Sequence, residues 1–322
     1  MRNSQNKAKQ NFILLMKILV AVFSCWYIFT KIEDEHSGLQ TAFAALSEYD
    51  FWAITSIIFT ITFLSVLNWF FEIFKWKSLT SQIEILSLQI AAFQTLIAHS
   101  VAVFTPNRIG DFGVKILFFE AKHHKRILGL NLLNNLAQMM ATIVFGILGF
   151  LLLNQATFHS YTALNTNLLL WFVVGTLLLF FVLKPFLVRS FHKLKTHLQL
   201  GKKKPLKVFV LSIIRYALFS HQYFILGWAL GWNVDYFTAM PIIFVLYFLA
   251  SFLPSIFILD SAIKAGIGIY IFSTVGVPSL LIVAISSIMW LLNFALPAII
   301  GSALLLQLKL NPLSDRTQIR IY

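Results

Sequence analysis

Five charged residues stand inside apolar sequence. Arg108, Asp111 and Lys115 follow Pro106, and Asp260 and Lys264 follow Pro254. Each Asp precedes its Lys by four residues, which on a helix places the two side chains one turn apart, within ion-pair reach. A proline starts a helix well because its missing N–H is one of the unpaired ones there. The helix it starts presents free N–H groups and partial positive charge, which favour an anion. Arg108 falls in that first turn, and its planar fork suits phosphate. Lys115 and Lys264 add point charges. Asp111 and Asp260 carry the opposite sign. Their plainest role is to neutralise Lys115 and Lys264. Their active role is to carry a coupling proton or to hold a cationic head group. Gly110 and Gly113 flank Asp111 and allow close backbone approach. Gly266 and Gly268 follow Lys264 and suit helix–helix contact.

Other reactive groupings are missing. The sequence holds no HExxH, G-x-S-x-G, P-loop or CxxC pattern. Its eight histidines show no metal-ligand spacing, and Cys25 is the only cysteine. No metal and no cofactor is expected.

The elements that position the five charges are set by composition. Of 322 residues, 59% are apolar and only 11% charged, with a mean hydropathy of +0.81. A soluble domain carries about 25% charged residues. A water-soluble globular enzyme is therefore excluded, as are a disordered chain and a disulfide scaffold. Long apolar runs favour spanning helices over the short alternating strands of a membrane barrel. Six crossings are expected, at Phe12–Thr30, Phe51–Phe74, Ile127–Asn154, Asn167–Leu183, Val208–Gly231 and Val277–Leu306.

Loop charges orient the chain. The N-terminal tail, the run Lys184–Lys207 and the C-terminal tail are basic, which places them in the cytoplasm. The loop from Lys31 to Asp50 is acidic and faces outside. The net charge of +13 is mostly this bias. No folded basic module for nucleic acid is visible. On this topology the second span ends inside, at Lys75 and Lys77.

Two segments remain, 90–121 and 237–276. Each is an apolar half, a proline break and a second half with charges. Parity makes the first begin and end inside and the second begin and end outside. Both read as re-entrant hairpins entering from opposite faces, with two full crossings the alternative for 237–276. They share Phe-x-Pro followed by Asp-x-x-x-Lys, at Phe104 and Phe252, which suggests an inverted-topology repeat. The fold class expected is all-α. It is one polytopic membrane bundle over 1–322, with eight or more membrane helices when the hairpins are counted. The hairpin tips would bring both proline breaks to one shared site near the midplane.

Weaker polar signals accompany these. Asn131, Asn134, Asn135 and Gln138 form a stripe suited to interhelical hydrogen bonding. Arg215 lies two turns into a span, where a long cation can snorkel to the interface. His99 and His221 read as packing donors.

The segment from Thr105 to Lys115 resembles the Pro-x-Arg-x-Gly-Glu signature of the lysylphosphatidylglycerol synthase transmembrane family, the flippase-like membrane proteins. The stretch from Pro254 to Gly268 is similar to the family's second signature. Asp111 stands where the family shows Glu, and Ile258 and Leu259 stand where it shows paired glycines. The resemblance implies a multi-pass protein of the bacterial cytoplasmic membrane that handles an anionic or modified lipid. It implies head-group contacts for Pro106, Arg108, Gly110, Asp111 and Lys115, and for Pro254, Asp260 and Lys264. The chain leaves no length for the family's soluble transferase domain, so lysine transfer is not expected.

The function expected is that of a transporter rather than an enzyme: a flippase for an anionic phospholipid or a lipid-linked glycan. Two alternatives compete with it. One is an intramembrane transferase or phosphatase on a lipid phosphate. The other is a non-catalytic membrane partner of a lipid synthase or glycosyltransferase.

Overall fold

A computed structural model describes residues 26, 28–30, 37–105, 108–153, 198, 201, 203–253 and 259–306. The expected crossing Asn167–Leu183, and all but the end of Phe12–Thr30, lie outside the described residues. Among the described residues every regular element is helical. They are α1 (Ser37–Glu48), α2 (Phe51–Thr80), α3 (Leu88–Val103), α4 (Ile109–Leu117), α5 (His124–Leu152), α6 (Lys203–Ala229), α7 (Tyr236–Phe252), α8 (Leu259–Phe272), α9 (Ser279–Trp290) and α10 (Leu296–Leu306).

Local chemistry sets several starts. Asp50, Ser87 and Asp235 cap α2, α3 and α7. Their side chains accept from the N–H groups of Ala53, Ile90 and Thr238. Such caps stabilise a helix by about 1 kcal/mol each. A π-helical turn over Leu291–Ala295 joins α9 to α10 without ending the rod.

Four helical stretches are long and apolar enough to cross a membrane: 51–80, 121–152, 203–229 and 279–306. They correspond to four of the six expected crossings. Their faces are inverted relative to a soluble helix. On α2, Ser65, Asn68 and Lys75 are buried, whereas Phe59, Phe63, Val66 and Phe70 are exposed. On α5, Asn131 and Asn134 are buried, and Leu132, Met139, Met140 and Val144 are exposed. Lipid welcomes those apolar side chains, so the polar groups turn inward to find partners.

The second expected crossing needs a correction. Its helix does not stop at Phe74 but runs on to Thr80. Lys75 is not a loop charge. It is fully buried and pairs with Glu72 at 3.2 Å.

The two broken segments are helix pairs. α3 and α4 have 16 and 9 residues, and α7 and α8 have 17 and 14. At a rise of about 1.5 Å per residue none reaches the roughly 30 Å of a bilayer core. Within each pair the halves run antiparallel. Phe93 near the start of α3 meets Phe118 past the end of α4, with ring centroids 6.2 Å apart. Leu246 on α7 packs beside Gly268 on α8.

The pairs are docked by exchange. α3 packs on α10, the helix that follows the other pair, and α7 packs on α5, the helix that follows α4. Glycines make both contacts close. A Cβ on Gly301 would sit 2.0 Å from the Leu96 carbonyl, and one on Gly146 would sit 2.4 Å from Phe248. The helices that precede the pairs, α2 and α6, cross antiparallel. Ile61 O accepts from Gln222, Asn68 from Arg215, and Ser81 from Lys204. Each half of the chain therefore has the same plan: a long helix, a broken pair, then a long helix that docks on the other half's pair.

The ends of this bundle differ in charge. One end gathers Lys77, Lys122, Lys125, Arg126, Lys203, Lys204 and Lys207, where α2 ends and α5 and α6 begin. The other carries Glu48, Asp50 and Asp235, where α2 begins and α6 gives way to α7.

Candidate functional site

The site begins at the two breaks. α3 ends at Phe104, and Thr105 turns the chain. The Arg108 N–H donates to Thr105 O at 3.2 Å, and the Gly110 N–H donates to Thr105 Oγ1 at 2.8 Å. A Cβ on Gly110 would sit 2.8 Å from the Val101 carbonyl, so only glycine lets α4 start this close to α3. Arg108 is left-handed, with φ +58°. It is the only non-glycine described with positive φ. That conformation costs about 1–2 kcal/mol. The side chain lies beside the π turn that joins α9 to α10. The guanidinium lies 5.0 Å over the Phe294 ring.

A cavity of about 410 Å³ opens there. Its wall includes Arg108 from the first break and Asp260 and Lys264 from the head of α8. Thus the structure brings together residues from both broken pairs, 152 positions apart for Arg108 and Asp260. The Lys264 Nζ donates to Asp260 Oδ2 at 2.6 Å. The inner wall is supplied by Asn68 of α2, Gln138 of α5 and Arg215 of α6. Tyr223 and Ser286 add hydroxyls. These are neighbours, both sealed from solvent, and neither closes a hydrogen bond of normal geometry. Tyr247, Trp290 and Phe294 complete an aromatic surround. Ligand pockets of small molecules fall in the same size range, about 300–1,000 Å³.

Asp111 and Lys115 do not line this cavity. Lys115 is 2% exposed and points into the helix packing. Its Nζ lies 3.0 Å from Asp111 Oδ1 and donates to Asn131 Oδ1 at 2.8 Å. Asn131 Nδ2 donates to the Asp111 carboxylate at 2.6 Å. The Trp76 ring covers the ammonium at 4.5 Å. The first Asp–Lys pair is thus a closed structural unit between α4 and α5. Pro106 and Pro254 lie outside the described residues.

Beneath the cavity runs a charge network centred on Glu72. Arg215 Nη1 donates to Glu72 Oε2 and, at 3.2 Å, to Gln138 Oε1. Arg215 Nε donates to Asn68 O and Oδ1. Lys75 Nζ reaches Glu72 Oε2 at 3.2 Å, and Asn134 Nδ2 reaches Glu72 Oε1 at 2.6 Å. Arg215 therefore does not snorkel to the interface. A carboxylate inside the bundle holds it, and in a low-dielectric interior that attraction outweighs the reach to water.

The network continues to the π turn. Asn293 Oδ1 accepts from Ser65 and Asn68, and its Nδ2 donates to Gln222. The Trp69 indole donates to Asn293 O. His99 lies between the Trp69 and Phe294 rings and reaches Phe294 O at 3.0 Å. His221 bonds Ala217 O and the Tyr236 hydroxyl.

Glu72, Asn68 and Asn293 escaped the sequence reading. Asn68 and Glu72 share one apolar run and Asn293 sits in another, and Glu72 lies three residues from a lysine read as a loop charge. The signal was present: an acid inside a span is costly unless paired. What its partner was could not be read, because Arg215 is 143 positions away. Among the described residues no cluster of His, Cys, Asp and Glu is suited to a metal. Comparisons with protein-family models, curated proteins and solved structures find no match for the chain.

Proposed function

We propose that the chain is a flippase-like protein of the cytoplasmic membrane that takes the phosphate head group of an anionic lipid or lipid-linked glycan into the cavity at Arg108. The observation that carries this is the meeting of Arg108 with Asp260 and Lys264 in one cavity within a bundle of membrane-length helices. Charges in hydrocarbon are retained where they line a polar path or site. Exchanged docking of two broken helix pairs is the plan of transporters built from inverted repeats, which expose one central site to each side in turn. The basic end of the bundle supports a cytoplasmic placement for the α5 and α6 starts, with both termini inside. On this reading the short pairs are re-entrant hairpins, and the acidic end faces outside. The resemblance of residues 105–115 to the flippase-like signature points the same way.

The test is translocation of a fluorescent anionic phospholipid in vesicles containing the purified protein. Arg108→Ala and Asp260→Asn should slow translocation at least about tenfold, the size expected for a lost charged hydrogen bond, while the elution profile stays unchanged. Asp111→Asn separates the closed pair from the cavity: it should act through stability. Translocation at the unaltered rate in both cavity variants overturns the proposal.

A further inference from the structure

Arg215 is held by its Nε and Nη1 nitrogens alone. Among the described residues Nη2 has no hydrogen-bond partner, and it is not among the sealed atoms. Arg215 lines the cavity, so this free edge is available there. Arg108 lines the same cavity and forms no ion pair among the described residues. The cavity thus offers the free edges of two guanidinium groups from different halves of the chain.

Charge counting sharpens this. Asp260 neutralises Lys264, and Asp111 neutralises Lys115. Glu72 faces two cations, Lys75 and Arg215, and can neutralise only one. Among the described residues Arg108 forms no ion pair, so the described part of the cavity and its backing carries an excess of two positive charges. A monoanion would leave half of that excess uncompensated, and a dianion would cancel it. Oxygen counting agrees. An Arg fork takes two acceptor atoms. A phosphodiester has two non-bridging oxygens, enough for the Arg108 fork, whereas a phosphomonoester has a third for the one free nitrogen of Arg215.

We infer that Arg215 is a second anion-binding residue, and that it makes the cavity selective for a dianionic terminal phosphate over a phosphodiester. This rests on the reading of the cavity as a head-group site. The shared chemistry is a phosphomonoester dianion, whether it ends a lipid or is free in solution.

The experiment measures binding to the full chain in detergent with three probes: dioctanoyl phosphatidic acid, dioctanoyl phosphatidylglycerol and inorganic phosphate. Phosphatidic acid should bind at least about tenfold tighter than phosphatidylglycerol. Arg215→Gln should abolish that preference, and Arg215→Lys should keep it. Should Arg215→Gln fail to fold, Arg108→Gln, on an exposed side chain, must lose the preference instead. Equal binding of the two lipids overturns the inference while sparing the lipid reading. Inorganic phosphate binding as tightly as phosphatidic acid upholds the dianion site and overturns the lipid reading. Binding of none of the three overturns both.

Discussion

The guanidinium of Arg215 on α6 donates to the carboxylate of Glu72 on α2, and that same carboxylate receives the ammonium of Lys75 one turn further along α2. The pair ties the two antiparallel long helices at their crossing. It also sets the charge under the cavity. Removing one partner of such a buried pair leaves an uncompensated charge, which costs about 3–5 kcal/mol.

Glu72→Ala should therefore destabilise the protein by about that amount, seen as a lower midpoint in detergent unfolding. Replacing Glu72, Lys75 and Arg215 together by leucine or methionine should restore most of the loss. The triple variant would then be folded but deficient in head-group binding. An undiminished midpoint for Glu72→Ala would show that water reaches the pair.

The two Asp–Lys pairs look alike in sequence and should differ in energy. Lys115 is 2% exposed in its pair, whereas Lys264 is 35% exposed in its own. A double-mutant cycle on Asp111 and Lys115 should give a coupling of about 1–3 kcal/mol. The cycle on Asp260 and Lys264 should give under about 1 kcal/mol, because solvent screens the pair. Equal couplings would count against the difference in burial.

Glycine substitutions test the exchanged docking. Gly301→Ala would drive a Cβ into the Leu96 backbone. It should cost about 1–3 kcal/mol, as overpacking does. Gly113→Ala meets nothing within 4 Å. It should be neutral or stabilising by up to about 1 kcal/mol through helix propensity. Thermal unfolding of the two variants side by side checks the contrast.

Orientation is tested by labelling single cysteines in a Cys25→Ser background. Cysteine at Lys77 or Lys203 should react with a membrane-impermeant reagent only after the cytoplasmic face is opened. Cysteine at Glu48 or Asp235 should react in intact cells. The reverse pattern would invert the proposed topology.

The helical class and four helices of membrane-spanning length are legible in the apolar runs, whose length reflects the cost of exposing backbone to lipid. The sequence also determined the two breaks and the i to i+4 ion pairs, which depend only on neighbours along the chain. Which charges meet depends on how the helices pack. Asp111 and Lys115 turned inward to Asn131, while Arg108 took a left-handed turn toward Phe294 and the second pair. Lys75 and Arg215, legible as a loop charge and a snorkelling cation, became the two sides of Glu72. Spacing along one helix predicts partners a turn away. It carries no information on a carboxylate 143 positions distant, whose position is set by how α2 and α6 cross.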